Sequence, residues 1–158
     1  MLKSKKSNKL PVKIEQEELL SNKEYTATFA VLKKQIQESQ IRAVTAANKE
    51  LVRLYWIIGK TIAERQEKSG WGTSIIEHLA KDLQNTFPGI EGFSRANVFR
   101  MKAFFLAYVK VAQSVRQFDS LPIFGIPWGH NILILQKLKD NEERLWYAAK
   151  AIEHGWSR

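Results

Sequence analysis

Apolar positions recur at helical spacing along most of the chain. No proline appears from about Tyr25 to Glu67. Over that stretch Val44, Ala47, Leu51, Leu54 and Ile58 alternate steps of three and four, Tyr55 and Ile62 widen the stripe, and Leu32 and Ile36 extend it towards the N-terminus. The pattern predicts one long helix or two nearly continuous ones. Gly59 lies inside it. A glycine costs about 1 kcal/mol against alanine in a helix, so its place here predicts the close approach of another backbone.

The sequence SGWGTS at 69–74 breaks the pattern. Ser74 and Glu77 have capping-box spacing, and Ile76, Leu79, Ala80, Leu83 and Phe87 then fall on one helical face until Pro88-Gly89 stops it. This predicts a helix over about 75–87. Ser94 is the expected cap of the next helix, about 95–110. Pro122, Gly125, Pro127 and Gly129 mark 111–129 as a loop or at most a short hairpin. A short helix is expected over about 130–138. Asp140 and Glu143 repeat the capping-box spacing, Leu145, Ala148, Ala149 and Ile152 form its apolar face, and Gly155 suits the position after its end. Strand signal and internal repeats are lacking, so the expected fold is all-α, with one long N-terminal helix. Residues 1–20, polar and interrupted by Pro11, read as a basic flexible arm, and 21–158 as the helical domain.

The pair at about 75–87 and 95–110 has the outline of a helix-turn-helix, in which the second helix presents its first turns to the major groove. Arg95 and Asn97 sit in that first turn, and these residue types make bidentate contacts to guanine and adenine. The connection PGIEGF is longer than the usual three to four residues. At about 100° per residue Arg95 and Lys102 lie within about 20° of each other, and Arg100 about 140° away. Large apolar residues take most of the circle, leaving the stripe of Ala96, Arg100, Ala103, Ala107 and Lys110. The helix is mainly a core helix. Its first turn is a candidate DNA contact, and a structural role with incidental cations, or the close approach of a neighbouring helix, is the alternative.

Charge sharpens the candidate. The formal net charge is +9 over 158 residues. Residues 1–13 hold Lys3, Lys5, Lys6, Lys9 and Lys13 without an acid, residues 92–118 hold Arg95, Arg100, Lys102, Lys110 and Arg116 without an acid, and the rest is nearly balanced. Two acid-free blocks point to a polyanion, most often nucleic acid. The lysine arm has solubility as its plain alternative. Apolar residues make up 44% of the chain, which is enough for a core and excludes global disorder. No apolar run reaches the length needed to cross a bilayer, no apolar segment follows the basic N-terminus as a secretory signal requires, and cysteine is absent. The expected setting is the cytoplasm.

Catalytic signatures are thin. His78, His130 and His154 lie far apart with no metal-ligand spacing, and neither phosphate-binding glycine motif occurs. No acid is followed two residues later by lysine, the element expected of a metal nuclease. His78 reads as a satisfied structural histidine, His130 as a possible helix cap, and His154 as a helix C-terminal residue. Trp56, Trp71, Trp128, Trp146 and Trp156 read as core or boundary packing rather than a base-stacking platform. The expectation is no enzyme, no metal and no cofactor.

The blocks LYWIIGKTI (54–62), GWGTSIIEHLAKDLQNTFPGIEGFSRANVFRMKAFFLAY (70–108) and IPWGHNILILQKLKDNEERLWYAAKAIEHGWSR (126–158) resemble the N-terminal helical domain of the YhcG-like proteins. The resemblance covers about 25–158. It implies a bacterial protein whose family members carry a C-terminal PDDEXK-type nuclease domain, and a link to restriction or defence against mobile DNA. No catalytic residue carries over, and another helix is expected after the stranded Ser157. The leading expectation is a non-catalytic DNA-binding domain using Lys5, Lys6, Lys9, Arg95, Asn97, Arg100 and Lys102. The alternative is an oligomerisation or interaction module, in which Val44, Leu51, Leu54 and Ile58 pair with a second copy or with a partner subunit carrying nuclease activity.

Overall fold

A computed structural model describes Glu18 and residues 22–156. Among these residues there are five α-helices and no strand: α1 (Lys23–Ser69), α2 (Thr73–Thr86), α3 (Arg95–Ser114), α4 (Trp128–Lys137) and α5 (Asn141–His154). Two 3-10 turns, Phe118–Ser120 and Pro122–Gly125, lie between α3 and α4. The fold is all-α, as the periodicity implies. The basic arm and its Lys5, Lys6 and Lys9 fall outside the described residues, as does Ser157.

The chain divides into two units, residues 1–43 and residues 44–158. In the first, Asn22 precedes α1, and its side-chain oxygen accepts from the Glu24 amide at 2.8 Å and so caps the helix. Every residue from Asn22 to Ala43 is exposed, including Tyr25, Phe29, Leu32 and Ile36. The stacked rings of Tyr25 and Phe29, 6.4 Å apart, and an exposed Lys34–Glu38 ion pair are local contacts within that helix. Neither buries it against another element.

The second unit holds the core. Val52 and Trp56 of α1 meet Phe104, Phe105 and Tyr108 of α3, and Leu121, Ile123, Phe124 and Ile126 of the turns close over them with Ile134, Ala148 and Ala151 from α4 and α5. Trp56 packs against four phenylalanine rings, at centroid distances from 5.0 Å to Phe105 to 5.8 Å to Phe104. A smaller cluster joins Ile62, Ile76, Ala80 and Val98 and so fastens α2 between α1 and α3. Tyr108 is fully buried, its hydroxyl has no hydrogen-bond partner among the described residues, and burial pushes its pKa up to about 12 against the pull of the Arg144 charge.

Polar side chains fix the connections. Asn131, fully buried in α4, donates to the Ile123 carbonyl at 2.8 Å and so holds the second 3-10 turn. Arg144 of α5 donates to the Leu138 carbonyl from two nitrogens, at 2.9 and 2.7 Å, satisfying the last turn of α4 as a cation there should. Asp140 caps α5 by accepting from the Glu143 amide at 2.9 Å, and Gly155 ends it in the left-handed region at φ +64°. Both features follow the sequence pattern.

Several local expectations are corrected. The N-cap of α2 is Gly72 with no side-chain bond, so Ser74 lies inside the first turn and the Ser74–Glu77 box does not form. The apolar run past Lys110 carries α3 on to Ser114, and the segment after it makes 3-10 turns rather than a hairpin. Pro127 precedes the first residue of α4, a position where its missing N–H is harmless, so α4 starts at Trp128 and His130 lies within the helix, buried, not at its cap. His78, expected as a satisfied structural histidine, is exposed, and its partner is Asp82 one turn on at 3.4 Å. Trp146 and Trp156 are 52% and 45% exposed, so the packing role expected of all five tryptophans does not extend to these two.

At Gly59 the backbones of α1 and α3 approach closely. A Cβ built there would collide with the Met101 carbonyl of α3, which is backbone and has no flexible end to give. Alanine gains about 1 kcal/mol of helix propensity, but overpacking of this kind costs about 1–3 kcal/mol or more. The expected net effect of Gly59→Ala is a loss of stability, read as a lower urea midpoint at unchanged slope. A rise in the midpoint would mean that the two backbones do not touch.

Candidate functional site

The first turn of α3 is built for the fold before it is available to a ligand. Ser94 caps it, accepting from the Asn97 amide at 3.2 Å. Arg95 donates from Nε to Glu77 of α2, and its guanidinium lies over the Phe99 ring, 5.2 Å from the centroid. Its charge is neutralised across the α2–α3 connection. That pair is largely exposed, so its contribution to stability is small, but it holds Arg95 in place.

Asn97 is spent internally. Its amide nitrogen donates to the Gly92 carbonyl at 2.6 Å, and its amide oxygen accepts from the Trp128 indole nitrogen at 2.7 Å. A bidentate contact to adenine needs those same two atoms. Around this link the Trp128 ring stands edge-on to Tyr55 at 4.9 Å, and burial pushes the Tyr55 hydroxyl pKa up. Gly92 has φ +110°, and a Cβ there would strike the Tyr55 hydroxyl, so glycine is required on two grounds. Asn97 thus ties the α2–α3 connection and the start of α4 together.

Arg100 and Lys102 lie on opposite sides of α3. Arg100 is exposed and makes no ion pair among the described residues. It lines a groove of about 310 Å³ between α3 and α4 with Asn97, Trp128, Ile132 and Gln136, and borders a smaller one of about 200 Å³ with Ala103 and Leu135. Lys102 is half-buried and two residues round the helix, about 160° away at 100° per residue. The four α3 residues singled out by sequence therefore do not converge on one surface. Of the remaining cations in the acid-free block, Lys110 and Arg116 are exposed.

The apolar stripe of α1 divides. Ile58 packs against the two smaller core clusters. Val44, Leu51 and Leu54 remain 61%, 36% and 42% exposed. The face that α1 buries is Val52, Tyr55, Trp56, Gly59 and Ile62: Tyr55 and Ile62 belong to the expected stripe, and Val52, Trp56 and Gly59 lie one residue beyond Leu51, Tyr55 and Ile58. Sequence reasoning passed over Tyr25 and Phe29, whose spacing of four residues from each other and three from Phe29 to Leu32 was the available signal. It also passed over Arg53 and Lys60, which border a third groove with Trp56, Phe105 and Phe118. No described helix is long and apolar enough to cross a membrane, and no group of three or more His, Asp or Glu able to hold a metal occurs among the described residues.

Replacing Asn97 by alanine leaves the Trp128 indole N–H and the Gly92 carbonyl unmatched. A cost of about 1–3 kcal/mol is expected, measured by urea unfolding, with Trp128 fluorescence reporting the loosened start of α4. An unchanged midpoint would show that Asn97 is free for a ligand after all.

The model of the DUF1016 N-terminal domain family matches residues 31–158. No curated protein and no solved structure gives a significant match.

Proposed function

We propose that the chain, which belongs to the DUF1016 N-terminal domain family, is a helical assembly module that pairs with a second copy of itself through the exposed apolar face of α1. One observation carries this reading. From Asn22 to Ala47 every residue of the helix is exposed, although Tyr25, Phe29, Leu32, Ile36 and Val44 lie along it. Helices in water draw most of their stability from packing an apolar face, not from propensity. A helix that keeps such residues and buries none of them against the described residues is suited to burying them against another chain.

A second copy is the simplest occupant. A two-fold interface uses the same patch on both partners, and an apolar face is complementary to itself. The first unit offers Tyr25, Phe29, Leu32 and Ile36 to such an interface, and the second unit offers Val44, Leu51 and Leu54. By its resemblance to the YhcG-like proteins, such a module would bring together, or position on DNA, a PDDEXK-type nuclease domain acting in restriction or defence. The chain's own residues are given no catalytic part in this reading.

Light scattering at low micromolar concentration should give the mass of a dimer. Leu51→Glu with Leu54→Glu, and separately Phe29→Glu, should give a monomer with unchanged helicity, because these side chains lie outside the core. A wild-type monomer at that concentration would overturn the proposal.

A second reading has its own support. Arg100 and Lys110 are exposed, belong to the same small-residue stripe of α3 and have no ion-pair partner among the described residues. They suit pairing with the phosphates of DNA rather than with base edges. If they do so, Arg100→Gln with Lys110→Gln makes the slope of log K against log salt shallower by about 0.9 for each phosphate no longer neutralised, read by anisotropy of a labelled duplex. An unchanged slope would remove DNA from this face.

A further inference from the structure

The third groove, about 410 Å³ in volume, lies between α1 and α3. Buried Trp56 and Phe105 and half-buried Phe118 form its floor, and half-exposed Ile57 one wall. Arg53 and Lys60 stand at its rim. Both are exposed, neither makes an ion pair among the described residues, and the residues lining the groove include no acid. They are seven residues apart, which places them on one side of α1 about 10 Å apart along its axis at 1.5 Å per residue.

We infer that this groove is a docking site for an acidic peptide segment of a partner protein, one that sets a bulky apolar side chain on the aromatic floor between two carboxylates. An extended chain covers about 13 Å in four residues at roughly 3.3 Å each and returns alternate side chains to one face, so acids four apart, with the apolar residue midway between them, present all three side chains to the groove within reach of both cations. Charge complementarity sets the sign of the segment, and the floor sets its centre. The floor also disfavours a nucleobase. Trp56 is only 5% exposed and its ring is enclosed by Phe104, Phe105, Phe118 and Phe124, so a base seated there would exchange its hydrated polar edge for an apolar floor, a cost that a hydrocarbon side chain does not carry. At 100° per residue Arg53 and Lys60 lie about 100° or more round α1 from both Leu51 and Leu54, so the two cations of this site are separate from the self-pairing face.

The test is fluorescence anisotropy with the full chain and a short fluorescein-labelled peptide that has a central phenylalanine midway between two glutamates four apart. Saturable binding is expected. It should weaken at least tenfold in Arg53→Glu with Lys60→Glu and at least tenfold for a peptide with serine in place of phenylalanine, and vanish for one with lysines in place of the glutamates. Arg53→Gln with Lys60→Gln, which avoids introducing like charges into α1, should weaken it by a smaller factor, and circular dichroism should show every variant folded. Light scattering of the charge-reversed protein should still give the wild-type mass, which separates this site from self-pairing. Binding that ignores the charge reversal, no binding up to millimolar peptide, or displacement of the peptide by a single-stranded oligonucleotide that binds more tightly and depends on the same two cations would each overturn the inference, the last in favour of nucleic acid.

Discussion

The contact of Gly59 with the Met101 backbone fixes the rest of the second unit. Two helices whose backbones touch can cross in few ways, and this one turns Val52, Tyr55, Trp56 and Ile62 of α1 towards Val98, Met101, Phe104, Phe105 and Tyr108 of α3. With those faces spent, the aromatic residues of the following turns have one place to go, over Trp56 and Phe104. The same crossing decides what stays outside. Val44, Leu51 and Leu54 are one residue out of phase with the buried set and so are left in solvent. The unpaired face of α1 is therefore a consequence of the core, not a defect beside it.

Much of the architecture was legible in the residues. The caps Ser94 and Asp140, the terminal Gly155 and the close approach at Gly59 each have a local physical cause that leaves a mark in sequence. Ser74 failed because a serine three residues before a glutamate marks a capping box only when the chain enters the helix there, and Gly72 provides an earlier entry. The stretch 111–129 was under-read because 3-10 turns have no periodicity long enough to detect, and here they owe their shape to distant partners such as Asn131. The division of the α1 stripe was invisible for a related reason. Apolar periodicity gives a face some 100° wide or more, and only the crossing with α3 says which part of it is covered.

The candidate site was legible in composition and misleading in detail. Arg and Asn in the first turn of a helix are the right residue types for reading bases, and the acid-free block around them is real. What sequence could not supply is the partner of each. Glu77 lies eighteen residues before Arg95 and Trp128 thirty-one after Asn97. Each pairing is a product of tertiary structure, and each uses up the group that would have done the reading.

Charge along a chain is not charge on a surface. The block 92–118 divides once folded: Arg95 answers Glu77, Lys102 is half-buried, and Arg100 and Lys110 remain on the small-residue stripe of α3. Arg53 and Lys60 lie outside both acid-free blocks, with Glu50 and Glu64 near them in sequence, yet they border an aromatic groove with no acid in its lining. An excess of +9 therefore says that anionic partners are favoured overall, and the fold decides where. Cations scattered along a helix face suit a phosphate backbone, whose charge is repeated and tolerant of register. Two cations framing an apolar floor suit a partner that brings its own hydrophobic centre, and on this chain that second arrangement is the more specific of the two.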